Sequence, residues 1–206
     1  MSNQNKSTRI SFGKLSLTSW IILGLFVMFA IYAIKFSFDP FIAERHYRDG
    51  YNFAMMNRQK FAVEELEEAV QYAPLESQYM LQLGKSYEGM ADFSDSLPVK
   101  LEWIGKAEAI YKRALELDDL NPWYMNRLAS VYINLSGLVP EKKDQYMKQA
   151  EIYVKMAADT DSQNPLFQIN YAFFLHRQLR FDEAITYYTK TYQIDESIFE
   201  ARYNLA

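Results

Sequence analysis

The sequence predicts an all-α protein, one membrane-spanning helix followed by a stack of short helix pairs, and three observations carry that reading. First, residues 15–34, LSLTSWIILGLFVMFAIYAI, run for twenty positions without a charge. At 1.5 Å per residue such a helix crosses a hydrocarbon layer of about 30 Å. Second, Ala107 to Tyr132 reads as the end of one helix, a joint and the start of another. Ala107, Ile110, Tyr111, Ala114 and Leu117 form one apolar stripe; Asp118 and Asp119 stop it; Asn121-Pro122 opens a second stripe of Met125, Leu128, Ala129 and Tyr132. Third, the joint recurs. Ala150, Val154, Ala157, Asp161, Asn164 and Pro165 repeat the spacing of Ala107, Tyr111, Ala114, Asp118, Asn121 and Pro122.

Taken in order, residues 1–14 form a basic tail, with Lys6, Arg9 and Lys14 ahead of the apolar run. Residues 15–38 are read as a transmembrane helix, with Trp20 and Tyr32 suited to the two interfacial zones and Lys35 able to snorkel. A cleaved signal peptide is the competing reading, against which stand the length of the run and the lack of a small-x-small cleavage site. The three leading basic residues outnumber Lys35, so the expected orientation is N-terminus in the cytoplasm and repeats on the periplasmic or external side, as in a single-pass protein of a bacterial inner membrane. Asp39-Pro40 is expected to break the helix, making residues 39–42 a short linker.

Residues 43–206 are read as the repeat array, with units at 43–76, 77–121, 122–164 and 165–198 and a partial fifth at 199–206. Small residues at helix crossings, a large residue four after the first small one, and a Pro or Asp turn describe each unit. They stand as Ala62, Leu66, Ala69 and Pro74, then Gly84 and Tyr87, and again as Ala184, Tyr188, Thr191 and Asp195. This pattern resembles the tetratricopeptide repeat, a helix-turn-helix unit of about 34 residues. The resemblance implies an α-solenoid of about four helix pairs plus an incomplete fifth. His46 and Asp49 stand where the family is usually apolar. Units two and three carry insertions of about eleven and about nine residues near Met90 to Leu101 and Ser136 to Glu141, within the turn of each repeat. They either expose a working rim at Phe93, Leu97 and Leu138 or lengthen the helices and pack. The array stops at Ala206 without a capping helix, which implies a longer natural chain or a partner over Tyr203 and Leu205.

Composition narrows the function. Zero Cys excludes a disulfide framework and a thiolate metal site. No Asp or Glu precedes Asp39, so the rest of the chain holds eighteen basic against twenty-six acidic residues, a net −8 that disfavours nucleic acid as a ligand. His46 and His176 are far apart, and no phosphate loop or nucleophile elbow occurs, so no metal, no cofactor and no catalytic residue is expected. Glu64, Glu65, Glu67 and Glu68 read as a solvated helix face.

What remains is binding. The resemblance places Tyr47, Tyr51, Lys85, Trp123, Asn126 and Phe173 in a concave groove with Gln78, Leu81, Ser130, Leu166 and Ile169, where a protein or peptide partner would dock on aromatic anchors rather than on charge. The alternative for Trp123 and Phe173 is that they cover seams between repeats. The carboxylate-clamping set of some relatives is not reproduced around Lys85 and Arg127. The expected function is a membrane-tethered adaptor that positions proteins of a membrane or envelope assembly, held in the bilayer by residues 15–38. The anchor-then-repeats plan is also similar to the repeat tail of O-antigen ligase or polymerase proteins, and to the outward-facing mitochondrial import receptor, which the missing clamp disfavours.

Overall fold

The structure is a computed structural model that describes residues 16–205. The basic residues Lys6, Arg9 and Lys14, the first residue of the apolar run, and the terminal Ala206 lie outside the described residues. Among those described there are nine α-helices, one 3₁₀ turn and no strand. The chain divides into two units, Met1–Phe41 and Ile42–Ala206.

The first unit carries most of α1, Leu17–Met55, a 39-residue helix whose apolar part is long enough to cross a membrane and contains no buried residue. The helix does not break at Pro40, and residues 39–42 are helical rather than a linker. An interior Pro forfeits one backbone bond and costs about 3 kcal/mol. Intact turns on both sides outweigh that cost here.

The second unit is a series of antiparallel pairs. Its elements after α1 are α2, Gln59–Tyr72; α3, Ser77–Asp92; α4, Leu97–Leu117; α5, Pro122–Leu138; α6, Lys143–Thr160; α7, Pro165–Arg177; α8, Phe181–Ile194; and α9, Phe199–Leu205. Each helix packs on the next, and one continuous core runs from Ala62 to Ala201. The recurrent joint has a local cause. Asn121 Oδ1 accepts from the Trp123 amide at 3.0 Å, and Asn164 Oδ1 accepts from the Leu166 amide at 3.1 Å, each capping a helix that opens on Pro. Both Asn side chains donate back to the Asp three residues earlier, Asp118 and Asp161. One Asn thus closes the old helix and starts the new one.

Small residues set the crossings. A Cβ on Gly84 would overlap the Tyr111 ring, so α3 and α4 approach only because that position has no side chain. Tyr111 is fully buried and donates to Glu88 at 2.5 Å. The turns inside the first and fourth pairs use a left-handed residue at equivalent places, Asn57 and Leu179, both with φ 59°. The second and third pairs use their insertions instead. Leu97 to Lys106 belongs to α4, which is 21 residues long, while Pro140–Lys142 forms the 3₁₀ turn before α6.

His46 is accommodated in the first pair by stacking on Tyr72 and pairing with Glu65 at 2.6 Å. The acidic face of α2 is therefore not wholly solvated. Glu65 holds His46 and Glu67 accepts from Tyr87 at 2.7 Å, leaving Glu64 and Glu68 facing solvent.

Candidate functional site

The first helix of each pair, α3, α5, α7 and α9, repeats one register, so residues at equivalent places form rows across the array. Asn126 and Phe173 belong to such rows and meet in one cavity of about 490 Å³ lined from α5, α6, α7, α8 and α9. Its lining adds Ser130, Asn170, Arg177 and Asn204. Phe173, Ile133 and Val154 give it an apolar floor. That combination of apolar floor and a few convergent polar groups, within the roughly 300–1,000 Å³ of typical ligand sites, is what a binding cleft requires.

The polar wall is ordered by its own hydrogen bonds. Asn170 Nδ2 donates to Asn126 Oδ1 at 3.0 Å, which fixes both amide orientations and leaves Asn126 with its NH₂ group and Asn170 with its carbonyl for a ligand. Ser130 is already engaged, since its hydroxyl donates to the Asn126 backbone carbonyl at 3.1 Å. Tyr188 is buried beneath Phe173, edge to face at 5.8 Å, with its hydroxyl 3.3 Å from His176 Nδ1. Burial raises the Tyr188 phenol above its ordinary range, so it stays protonated.

One repeat earlier, Lys85 stands with Glu88 and Arg127. Glu88 is largely buried; it accepts from Tyr111 and faces Arg127 at 3.6 Å. Burial pushes its carboxyl up against the pull of Arg127 and Tyr111. Burial, with repulsion from Arg127, lowers Lys85. Two cations thus share one carboxylate.

The other expected groove residues are elsewhere. Tyr47 stacks on Tyr79 at 4.5 Å, with Tyr51 at 6.3 Å from Tyr47, an aromatic cluster that joins α1 to α3. The Tyr79 hydroxyl donates to Glu44 at 2.9 Å, and burial plus that carboxylate push it up to about 12. Trp123 sits edge-on to Phe167 at 5.1 Å, on the seam between α5 and α7, and remains 48% exposed. Leu81 and Ile169 are buried in the core instead of lining a groove. On the expected second face, Leu138 packs against the core and Trp103 and Tyr146 stack on Tyr87 and Tyr132, while Phe93 and Leu97 stay exposed. Sequence reasoning missed Asn170, Arg177 and Asn204. The helical register carries the signal, because Asn170 stands one position past the place on α7 that matches Asn126 on α5. Among the described residues no group of His, Asp and Glu could hold a metal ion.

No family model matches the chain, and no curated protein is significantly similar to it. Solved structures do resemble it. TTC0263, a thermophilic TPR protein in Thermus thermophilus, superposes with a TM-score of 0.66 at 16% identity, covering 79% of each chain. MamA gives a TM-score of 0.60 at 15% identity over 80% of this chain and 79% of its own. YrrB, a TPR protein described as having an unusual peptide-binding site, gives 0.54 at 16% identity over 78% of this chain and 72% of its own. Identities this low speak for the fold, and together with the capped joints and the Gly84 crossing they identify the architecture of this chain as the tetratricopeptide-repeat fold.

Proposed function

We propose that the chain is a membrane-tethered adaptor that holds an extended segment of a protein partner in the cleft between α5, α7 and α9. The observation that carries this reading is the Asn126–Asn170 pair, whose free NH₂ and carbonyl present one donor and one acceptor above the apolar floor at Phe173. A peptide backbone offers the complementary pair at every residue. The tether is read from the apolar length of α1, and the proposed span, residues 15–38 with the N-terminus cytoplasmic, is taken from the uncharged run and from the three basic residues ahead of it. No catalytic role is assigned. The polar groups that line the cleft, the Asn126, Asn170 and Asn204 amides, the Ser130 hydroxyl, His176, Tyr188 and Arg177, are read here as groups that bind and orient.

The test uses the full chain in its native membrane. A photocrosslinking amino acid at Phe173 should capture a protein partner, whereas the same probe at Lys60, on the outer surface of α2, should not. Replacing Asn170 by Ala with the probe retained should reduce capture. Capture that is equal at both places removes the cleft from the reading, and release of the protein by alkaline carbonate removes the tether.

A further inference from the structure

The fourth pair carries a buried amide where the two pairs before it carry a thioether. Gln168 stands at the fourth position of α7, as Met80 does in α3 and Met125 in α5, and all three are buried, Gln168 at 2% exposure. Gln is seldom found inside, and an interior amide costs free energy unless its groups are paired. Here only half of it is paired. Gln168 Nε2 donates to the Ala158 carbonyl near the end of α6 at 2.6 Å, whereas its Oε1 makes no hydrogen bond among the described residues. The bond orients the amide and leaves a fixed acceptor. That side chain lines a cavity of about 520 Å³ on the seam between α6 and α8, with Asp159, Ser162, Gln163, Lys190 and Gln193 as its other polar groups; of the lining residues only Ala158 and Ile194 are apolar. None of these residues lines the cleft at Phe173.

The matching seam between α2 and α4 is built otherwise. Val70, Leu83, Tyr87 and Ile110 line it, and Arg113 spans it to donate to the Pro74 carbonyl at 2.9 Å. Lys190 holds Arg113's place on α8 but lies back over the Tyr187 ring of its own helix at 4.4 Å, and Asp159 is paired with Lys155 at 2.8 Å. The two charges of the α6–α8 cavity are thus opposite in sign and each has a neighbour, so the wall favours neither a strongly anionic nor a strongly cationic ligand. Its amides, hydroxyl, ammonium and carboxylate set donors beside acceptors, and there is little apolar floor for a peptide side chain. A hydroxyl group donates and accepts at once, so neighbouring hydroxyls on one ring match such a wall. We infer that this cavity binds a neutral polyhydroxy ligand, one saccharide unit of a glycan, with a hydroxyl donating to Gln168 Oε1 and its neighbours held by Gln193 and Lys190. The volume lies within the roughly 300–1,000 Å³ of typical ligand sites. The site is separate from the proposed protein-binding cleft and does not depend on it.

The experiment is saturation-transfer NMR on the full chain in micelles of a detergent without a sugar headgroup. The probes are maltotriose and N-acetylchitotriose as neutral glycans, trigalacturonate as an acidic one, and a glycine–serine tripeptide. At least one neutral trisaccharide should bind, and more tightly than the acidic glycan or the tripeptide. Gln168→Met installs the side chain that α3 and α5 carry at this place, so it should fold with native helicity while weakening that binding by roughly three- to tenfold, the loss of one hydrogen bond to a neutral group. Gln193→Ala and Lys190→Ala should weaken it as well, and Phe173→Ala in the cleft should leave it unchanged. Absence of binding by both neutral glycans overturns the inference, as does equal or tighter binding of the acidic glycan or the tripeptide. Unchanged affinity in Gln168→Met overturns it too, and an equal loss in Phe173→Ala would move the glycan to the cleft.

Discussion

One substitution at two glycines should have opposite effects. At Gly84 a methyl group would fall within 3.0 Å of three atoms of the Tyr111 ring, closer than van der Waals contact allows. That ring cannot swing away, being fully buried and held by its bond to Glu88. Overpacking of this kind costs about 1–3 kcal/mol. Removing a helix-interior Gly returns about 0.8–1.0 kcal/mol of propensity. Gly84→Ala should therefore destabilise the repeats by a net of up to about 2 kcal/mol. At Gly105, exposed in the middle of α4, an added Cβ meets nothing within 4 Å, and only the propensity gain remains. Gly105→Ala should stabilise by about 0.8–1.0 kcal/mol. For a domain of this size the two midpoints should differ by roughly 2–12 °C, since the overpacking cost alone separates them at about 2–4 °C per kcal/mol. The assay is thermal and urea unfolding of the full chain in micelles, followed by helical circular dichroism. In a Tyr111→Leu background, where the ring is gone, Gly84→Ala should lose most of its cost. A Gly84→Ala protein that melts with or above the parent refutes the crossing geometry.

Two further predictions concern backbone strain and a buried charge. Leu179 is 73% exposed at φ 59°, a conformation that costs a residue with a Cβ roughly 1–2 kcal/mol, so Leu179→Asn, matching Asn57 in the first pair, should raise stability by about 1 kcal/mol in urea titration. Asn costs a loop little, and an unchanged midpoint would mean that the turn is not strained. Glu88 has its folded carboxyl raised, so the native state binds the proton more tightly than the unfolded chain does. Its contribution is complete below the ordinary carboxylate range near about 4.3 and is lost as pH climbs from there through the raised folded value. Glu88→Gln keeps an acceptor for Tyr111 and should flatten that decline, leaving the variant at neutral pH as stable as the parent or more so. A steeper decline in the variant would show that the Arg127 pairing outweighs burial.

The repeat architecture is legible in the sequence because its causes are local and periodic. Asn121 and Asn164 cap, Pro122 and Pro165 start, and Gly84 admits Tyr111, each within one or two turns of residues that show the spacing. Pro40 misleads for the complementary reason. A local rule marks a boundary, but the decision lies with the turns on both sides of it, which continue as helix. The cleft is half legible. Asn126 and Phe173 follow from counting along each first helix, whereas Asn170, Arg177 and Asn204 enter only when three helices are set side by side. Trp123 shows the limit of residue type as a guide, since an aromatic suited to a partner is equally suited to a neighbouring repeat's Phe167. The acidic face of α2 reads as solvated because composition hides the two hydroxyl and imidazole partners that Tyr87 and His46 bring from other helices.

The seams between pairs are closed by different bonds. Tyr87 reaches back to Glu67 and Tyr132 to Glu108, but Leu175 occupies the corresponding place on α7, and Glu151 is taken by Arg180 instead. A stack of repeats behaves as a chain of coupled two-state units, in which the nearest-neighbour terms decide where it comes apart. A phenol-carboxylate bond half shielded by its neighbours ignores salt, while a guanidinium pair at the surface does not. The coupling of the array is thus most sensitive to ionic strength at the joint between the third and fourth pairs, where the Arg180–Glu151 pair has no phenol beside it. Amide exchange in α7 and α8 should quicken with salt ahead of α3 and α4, and an occupant bridging α5 to α7 would restore the lost cooperativity by linking the units that salt uncouples.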